Sequence, residues 1–373
     1  MKILYVTTIS STTSFFISHV NMLLDQGHSV DFACNIIKPV NQSLLDRGCK
    51  VFQVHFSRFP LSKSNFQSAG EIRKIMQKGS YDVVHVHTPV AAAITRLVCK
   101  KFQNITVMYT AHGFHFFKGA PLVNWLLYYP VEKYLSKYTN VLITINQEDY
   151  ERAKSKFKAK QIEYVPGVGI DVNRFSEVSI DRVKKRADLG IPENSYVLVS
   201  VGELNKNKNH QTVIRALKKL NNPNIQYVLC GAGPLKKQLV SLIAKLNLES
   251  QVKLLGYRRD IPEILKAADL FVFPSRREGL GLAALEAMAS GLPIITSNIH
   301  GIKDYSKNGF TGFSCSPNDN QGFATAIKSL FDNPRESEKF IVHNKQKVVE
   351  FSASIVLQKI EEIYKGVTEG IYK

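Results

Sequence analysis

The stretch Phe273-Pro-Ser-Arg-Arg-Glu278-Gly-Leu-Gly-Leu-Ala-Ala-Leu-Glu286-Ala-Met-Ala-Ser-Gly decides how this chain is read. The apolar run Leu270–Val272 before it predicts a strand, and Leu282–Ser290 predicts a helix whose first turn holds nothing larger than Leu. Gly279 and Gly281 let backbone N–H groups approach a ligand, and a helix N-terminus favours an anion. Gly279, Leu280, Gly281 and Leu282 are therefore candidate diphosphate contacts. Glu286 follows Glu278 by eight residues, a span of ~12 Å if helical. That separation suits two carboxylates gripping hydroxyls on either side of a diphosphate. The plainer alternative makes Glu278 a helix cap and Glu286 a solvated side chain. Glu286, however, is set among Ala283, Leu285 and Ala287, where a carboxylate needs a partner. The pair is read as functional.

Outward from this segment the same strand–turn–helix unit repeats. Upstream in the same half, strands are predicted at Tyr196–Val201, Gln226–Cys230 and Val252–Leu254, and downstream at Pro293–Thr296. Helical patterns at His210–Leu220, Leu235–Leu246, Ile261–Ala267 and Gln321–Phe331 alternate with them. A turn-rich break at Pro166-Gly-Val-Gly169 separates this series from an earlier one. There, strands Ile3–Thr7, Ser29–Cys34, Val51–Val54, Asp82–His87, Thr106–Thr110, Val141–Ile145 and Glu163–Val165 alternate with amphipathic stretches such as Phe66–Gln77 and Ala91–Lys101. Strands spaced by single helices imply parallel, doubly wound sheets. The expectation is an α/β protein of two Rossmann-like domains, residues 1–170 and 171–351, facing across a cleft. A C-terminal helix over 352–373 is expected to return to the first domain.

Length agrees with two domains, at roughly 150 residues each. The 373 residues carry 49 Lys or Arg against 31 Asp or Glu, a net +18. Both halves are basic, so the partners expected are anions: nucleotides, nucleic acid or membrane headgroups. Cys34, Cys49, Cys99, Cys230 and Cys315 form no Cys-x-x-Cys pair, which speaks against a zinc knuckle or thioredoxin-type site. The opening MKILYVTTIS reads as a strand, too short in its apolar run for a signal peptide, and Ala120–Val131 falls short of a membrane span. A reduced, cytoplasmic protein is expected, with peripheral attachment to the inner face of the plasma membrane.

With its neighbours, the Glu278-x7-Glu286 segment resembles family four of the retaining glycosyltransferases, which have the GT-B fold. The likeness runs through Asp82-Val-Val-His-Val-His87, Thr110-Ala-His112-Gly113, Pro166-Gly-Val-Gly-Ile-Asp171, Val201-Gly202-Glu-Leu-Asn-Lys-Asn-Lys208, Gly231-Ala-Gly233-Pro and Gly256-Tyr-Arg-Arg-Asp260. It covers nearly the whole chain and resides in the order and spacing of these motifs. The resemblance implies that Glu278 holds donor-sugar hydroxyls and Glu286 the ribose. It puts Lys208 and Gly202 on the donor diphosphate and His112 near the reacting carbon. The base pocket falls near Tyr257 and Arg258, with UDP as the default nucleotide. Where the family has Arg, this chain has Glu203, which is expected to point away or to meet the acceptor, with Asn205 or Lys206 as substitute contacts. Retention of anomeric configuration is implied by the family alone.

Residues read for the acceptor side are His87, at a strand end, and Phe114. The run from His112 through Phe116, Phe117, Trp125, Tyr128 and Tyr134, interleaved with Lys118, Lys133 and Lys137, suits an anionic bilayer, or else simply forms the domain core. The closest likeness is to bacterial enzymes that build capsule or exopolysaccharide units on a polyprenyl diphosphate. The acceptor is then a glycan or lipid-linked sugar. The chain has no Asp-x-Asp, His-Glu-x-x-His or His-x3-5-His motif, so neither metal nor cofactor is expected. Two competing readings are a UDP-sugar 2-epimerase of the same fold and a nucleic-acid-binding protein. The Glu pair opposes the first, and the lack of any nucleic-acid signature opposes the second.

Overall fold

The computed structural model describes residues 1–372, in two compact units: residues 1–169 with 354–372, and residues 170–353. In the first, strands β1 (Lys2–Ile9), β2 (Ser29–Asn35), β3 (Val51–Gln53), β4 (Val83–His87), β5 (Thr106–Ala111), β6 (Val141–Thr144) and β7 (Gln161–Tyr164) form one parallel sheet in the order 3-2-1-4-5-6-7. Its helices are α1 (Ile17–Asp25), α2 (Gln42–Asp46), α3 (Ser64–Gly79), α4 (Pro89–Cys99), α5 (Leu122–Leu135) and α6 (Gln147–Lys156).

Parallel strands covered on both faces read as unbroken apolar runs, and β1 shows why. Leu4 and Val6 enter one core with Val84 and Val86, while Ile3 and Tyr5 enter the opposite core with Val83. The same alternation sends His85 and His87 to the Tyr5 face, where both are buried.

The second unit repeats the plan. Short helices α7 (Val172–Ser176) and α8 (Arg182–Asp188) precede β8 (Tyr196–Val201), α9 (Gln211–Leu220), β9 (Ile225–Cys230), α10 (Lys236–Lys245), β10 (Val252–Gly256), α11 (Ile261–Ala267) and β11 (Leu270–Phe273). Then come α12 (Leu282–Ala289), β12 (Ile294–Ser297), β13 (Gly312–Cys315), α13 (Asn320–Asp332) and α14 (Pro334–Val348). The sheet order is 10-9-8-11-12-13, again all parallel. Edge strand β13 is absent from the sequence expectation because Gly-Phe-Ser-Cys is half-exposed and carries no apolar run. In both sheets the strand order reverses next to the first strand, β1 or β8. Ligands of doubly wound sheets bind in the crevice outside the strand carboxyl ends at that switch point.

The last helix, α15 (Ala353–Thr368), lies in the first unit. Val356, Ile360, Ile363, Tyr364 and Val367 lie on one helical face and close the Tyr5 core. No helix among the described residues is long and apolar enough to cross a membrane. The five cysteines are free thiols, four of them buried.

Candidate active site

In the second unit, the carboxyl end of β8 turns at Gly202 and that of β9 at Gly231. The two turns lie so close that a Cβ on Gly231 would be 1.8 Å from the Gly202 carbonyl oxygen, so only glycine fits. From this corner opens a cavity of about 790 Å³. Gly202, Tyr257, Arg258 and Glu286, named from sequence for nucleotide binding, all line it. Tyr257 is 78% exposed, leaving its ring face open. Arg258 is held by Asp260, with Nε 2.8 Å from Oδ1 and Nη2 2.6 Å from Oδ2, and Lys185 Nζ meets Oδ2 at 2.6 Å.

Glu286 rises from α12, one turn in from Leu282. Burial raises its carboxyl above the ordinary Glu value, and Arg174 beside it opposes that shift. Arg174 and Arg259 also line the cavity, and sequence reasoning missed both. Arg174 follows the Asp171 cap of α7, whose Oδ1 accepts its N–H at 3.0 Å, so the Pro166–Asp171 motif was the available signal. If Glu286 binds as a carboxylate, lowering pH protonates it earlier than an ordinary Glu. The donor KM is then expected to rise as pH falls toward 5, and Glu286→Gln should start high and stay flat. A parallel pH profile in both proteins would contradict this role.

Lys208 and Glu278 meet directly, Nζ to Oε1 at 2.6 Å, with side chains 20% and 12% exposed. The Lys208 stem crosses Gly202: a Cβ there would lie 3.2 Å from its Cδ. Its ammonium also sits over the Phe273 ring at 4.8 Å. The loop is built from asparagines. Asn205 Oδ1 accepts from Lys208 N–H at 2.9 Å, Asn207 Nδ2 donates to the Arg277 carbonyl at 2.8 Å, and Asn209 Nδ2 donates to Pro274 and Pro317 carbonyls. The pair is therefore held beside Gly202, which lines the cavity.

Three expectations need correcting. Glu278 and Glu286 do not share a helix. α12 begins at Leu282, so Glu278 lies in the preceding loop and the ~12 Å helical span does not apply. Glu203 does not point away: it lines the cavity, exposed, with Oε2 accepting from Asn205 Nδ2 at 2.8 Å. Asn205 is thereby occupied with Glu203 and the loop backbone, and Arg259 and Arg174 are the cavity's cations beside Arg258.

Gly281 caps α12 with φ 95°, and a Cβ there would strike the Phe273 ring at 2.7 Å. This glycine brings the loop 279–282 against the strand end and leaves the first N–H groups of α12 without intrahelical acceptors. Leu280 is buried beneath it, and the Tyr305 hydroxyl donates to the Gly281 carbonyl at 3.4 Å.

In the first unit, His112 follows β5, half-buried. His87 Nδ1 lies 3.1 Å from its Nε2. His87 itself is buried, stacked on Phe16 at 4.1 Å between ring centroids, so it supports His112 from below and offers no acceptor contact. Phe114 likewise leaves the acceptor list: its ring packs on Phe116 at 4.8 Å within the core. His85 bridges Tyr364 (2.7 Å) and Thr110 (2.8 Å). Burial depresses all four imidazoles, and neighbouring histidines add to this at His85, His87 and His112: His19 and His112 fall to about 4, and His85 and His87 lie well below the usual imidazole value. All four are neutral at pH 7. His112 is thus a hydrogen-bonding group, not a cation. Among the described residues no three His, Cys, Asp or Glu side chains are grouped to hold a metal ion.

Two doubly wound parallel-sheet units, each with its ligand crevice at a strand-order reversal, define the GT-B class. The comparisons with known proteins agree. Residues 181–347 match the family described as glycosyl transferases group 1, and residues 2–146 match the family described as glycosyl transferase 4-like. The chain is 35% identical over 372 residues to the provisionally named glycosyltransferase EpsD of Bacillus subtilis (strain 168), covering 98% of this chain and 96% of that one. It is 31% identical over 332 residues to the Escherichia coli UDP-Gal:alpha-D-GlcNAc-diphosphoundecaprenol alpha-1,3-galactosyltransferase, covering 87% and 86%. In fold it superposes on Anabaena Alr3699/HepE, solved with UDP, at a TM-score of 0.80 and 21% identity, covering 98% of this chain and all of that one. The chain belongs to the group 1, GT4-like glycosyltransferases.

Proposed function

We propose that the protein transfers a hexose or N-acetylhexosamine from a nucleotide sugar, UDP-linked, to a hydroxyl of a polyprenyl-diphosphate-linked sugar in capsule or exopolysaccharide synthesis. The observation that carries this is the Lys208–Glu278 pair, whose lysine stem crosses Gly202 in the lining of the Glu286 cavity. A cation there suits the departing diphosphate, and the carboxylate beside it suits sugar hydroxyls. Glu286 takes the ribose, the loop 279–282 the phosphates through its N–H groups, and Tyr257 the base. The donor thus belongs to the second unit and the acceptor to the first. The donor class is supported by the UDP in the Anabaena structure, and the acceptor class by the diphosphoundecaprenol in the name of the E. coli relative.

The chemistry is a displacement on one face of the anomeric carbon. The bond from that carbon to the phosphate oxygen breaks, and the acceptor oxygen bonds from the same side. The acceptor's proton goes to the departing phosphate, giving UDP and a product of retained configuration. Lys208, Arg174 and Arg259 supply countercharge to the phosphates, so no metal is required. His112, neutral, donates or accepts a hydrogen bond at the sugar. Exposed Leu122, Val123 and Leu126, with Lys118, Lys133 and Lys137, suit peripheral contact with an anionic leaflet.

The test is transfer to GlcNAc-diphosphate-polyprenol across UDP-, GDP- and TDP-sugars, with the product anomer read by NMR. Activity is expected with a UDP-sugar, with retention, and undiminished by a chelator. An inverted product or chelator-sensitive turnover would overturn the mechanism.

A further inference from the structure

The sequence expectation for the acceptor side, His87 and Phe114, is buried, yet the first unit has an open crevice at its own switch point. There, β1 and β4 end and α4 begins, enclosing about 230 Å³ lined by Thr8, Thr12, Thr88, Arg58 and His115. The Thr8 and Thr88 hydroxyls are 2.7 Å apart, and Thr88 holds φ 64°, a strained value for a β-branched residue. Arg58 is exposed and, among the described residues, has no carboxylate partner. Four residues of this crevice, Pro60, Pro89, Val90 and Tyr128, also line a second groove of about 420 Å³. The second groove is apolar, walled by Leu61, Ile94, Leu127 and Val131. Its only charged residue, Glu132, is neutralised by Arg96, Nη2 to Oε2 at 2.7 Å. Leu61 and Leu127 are 84% and 60% exposed, so the wall is open to a long ligand.

A cationic, hydroxyl-lined end continuous with an uncharged apolar trough has the polarity of one molecule: an isoprenoid chain with a diphosphate at its head. We infer that this composite groove binds the polyprenyl diphosphate of the acceptor. Arg58 takes the diphosphate at the threonine-lined end, and the first isoprene units lie between the Leu61 loop and α5. The inference rests on the lipid-linked acceptor proposed above and adds where the lipid is held. A peptide or a second copy of the chain explains the apolar trough but not an arginine at its end in a crevice whose lining holds threonines and no carboxylate.

The experiment compares two GlcNAc-diphosphate acceptors, one with an undecaprenyl chain and one with a two-unit prenyl chain, in detergent micelles where adsorption to a bilayer plays no part. The wild type is expected to show a KM about tenfold or more lower for the long chain. Leu61→Glu and Leu127→Glu, at exposed positions and checked for unchanged melting, should bring that ratio toward one. Arg58→Ala should raise KM for both acceptors. If the long-chain preference survives both Glu substitutions, the groove assignment is wrong while the lipid-linked acceptor stands. If the Glu variants keep the preference in micelles but lose binding to anionic vesicles that lack carrier lipid, the face is a general membrane contact and the groove assignment falls. Transfer to soluble glycans with none to either lipid acceptor would overturn both readings together.

Discussion

Lys208→Met is expected to lower kcat/KM about a thousandfold, the upper range for removing one group that stabilises charge developing on a leaving group. The structure adds a second consequence. Nζ and Glu278 Oε1 stand 2.6 Å apart in a mostly buried setting, so the single variant leaves a carboxylate without its partner. That carboxylate would face the donor diphosphate, and the second unit should lose about 1–3 kcal/mol of stability. Glu278→Gln should be the milder change for the fold but still cost on the order of a hundredfold in rate, because an amide cannot hold the ammonium and accept from sugar hydroxyls as a carboxylate does. The decisive protein is the double variant Lys208→Met/Glu278→Gln. With both charges gone, its melting temperature should recover toward wild type while activity stays as low as in Lys208→Met. Calorimetry and steady-state kinetics on the same preparations separate the two effects. Recovery of activity along with stability would mean that the pair only holds the loop and does not meet the donor.

Acidification to pH 5 should destabilise the first unit by about 4 kcal/mol through His19 and His112, a large share of the stability of a typical domain, with His85 and His87 adding in the same direction. His19, His85, His87 and His112 are neutral when folded: His19 and His112 lie at about 4, and His85 and His87 well below the usual imidazole value, against about 6.5 in an unfolded chain. Above pH 6.5 neither state binds a proton and stability is complete. As pH falls below 6.5 the unfolded chain takes up protons on all four rings that the folded unit refuses, about 2 kcal/mol by pH 5 for each of His19 and His112. His85 bonds Tyr364 and Thr110, His87 meets His112, and His19 bonds the Val168 backbone, so none of these partners is a carboxylate that would stabilise an imidazolium. Trp125, the single tryptophan, belongs to the first unit, packed on Phe116 at 5.7 Å between centroids, so its fluorescence follows that unit alone. Urea titrations at pH 7.5, 6.5, 5.5 and 5 should show a steep drop in midpoint below 6.5. His87→Phe, which keeps the stack on Phe16 and removes one titrating ring, should flatten the slope by about one proton. A midpoint unchanged from pH 7 to 5 would show that the cluster is not neutral as placed.

The alternation of strands and helices was legible because a parallel strand buried on both faces must be apolar along its length, as in Ile3–Val6 and Leu270–Phe273. The glycine turns were legible too, since Gly231 and Gly281 occupy places no side chain can enter. Legibility failed where sorting depends on three-dimensional neighbours. In the aromatic region after His112, Phe114, Phe116, Phe117, Trp125 and Tyr129 turn inward, whereas the aliphatic Leu122, Leu126 and Leu127 of α5 face out. Hydrophobicity alone ranks these the other way round. Pro130 interrupts the α5 pattern, and the loop before α3 supplies Leu61 to the groove that α5 also lines.

By itself the sequence determined the α/β architecture, the turn glycines, the Glu278-x7-Glu286 segment and the basic character that calls for an anionic partner. Those depend on local periodicity, backbone freedom and composition, which a one-dimensional string contains. Only the tertiary structure decided which charges face one another. It set Lys208 against Glu278, brought Arg174 to Glu286, buried His87 beneath His112, and joined a polar crevice to an apolar groove through four shared residues. The reason is that electrostatic interaction and burial depend on distance between residues tens of positions apart, and distance is fixed only when the sheet has set its strand order.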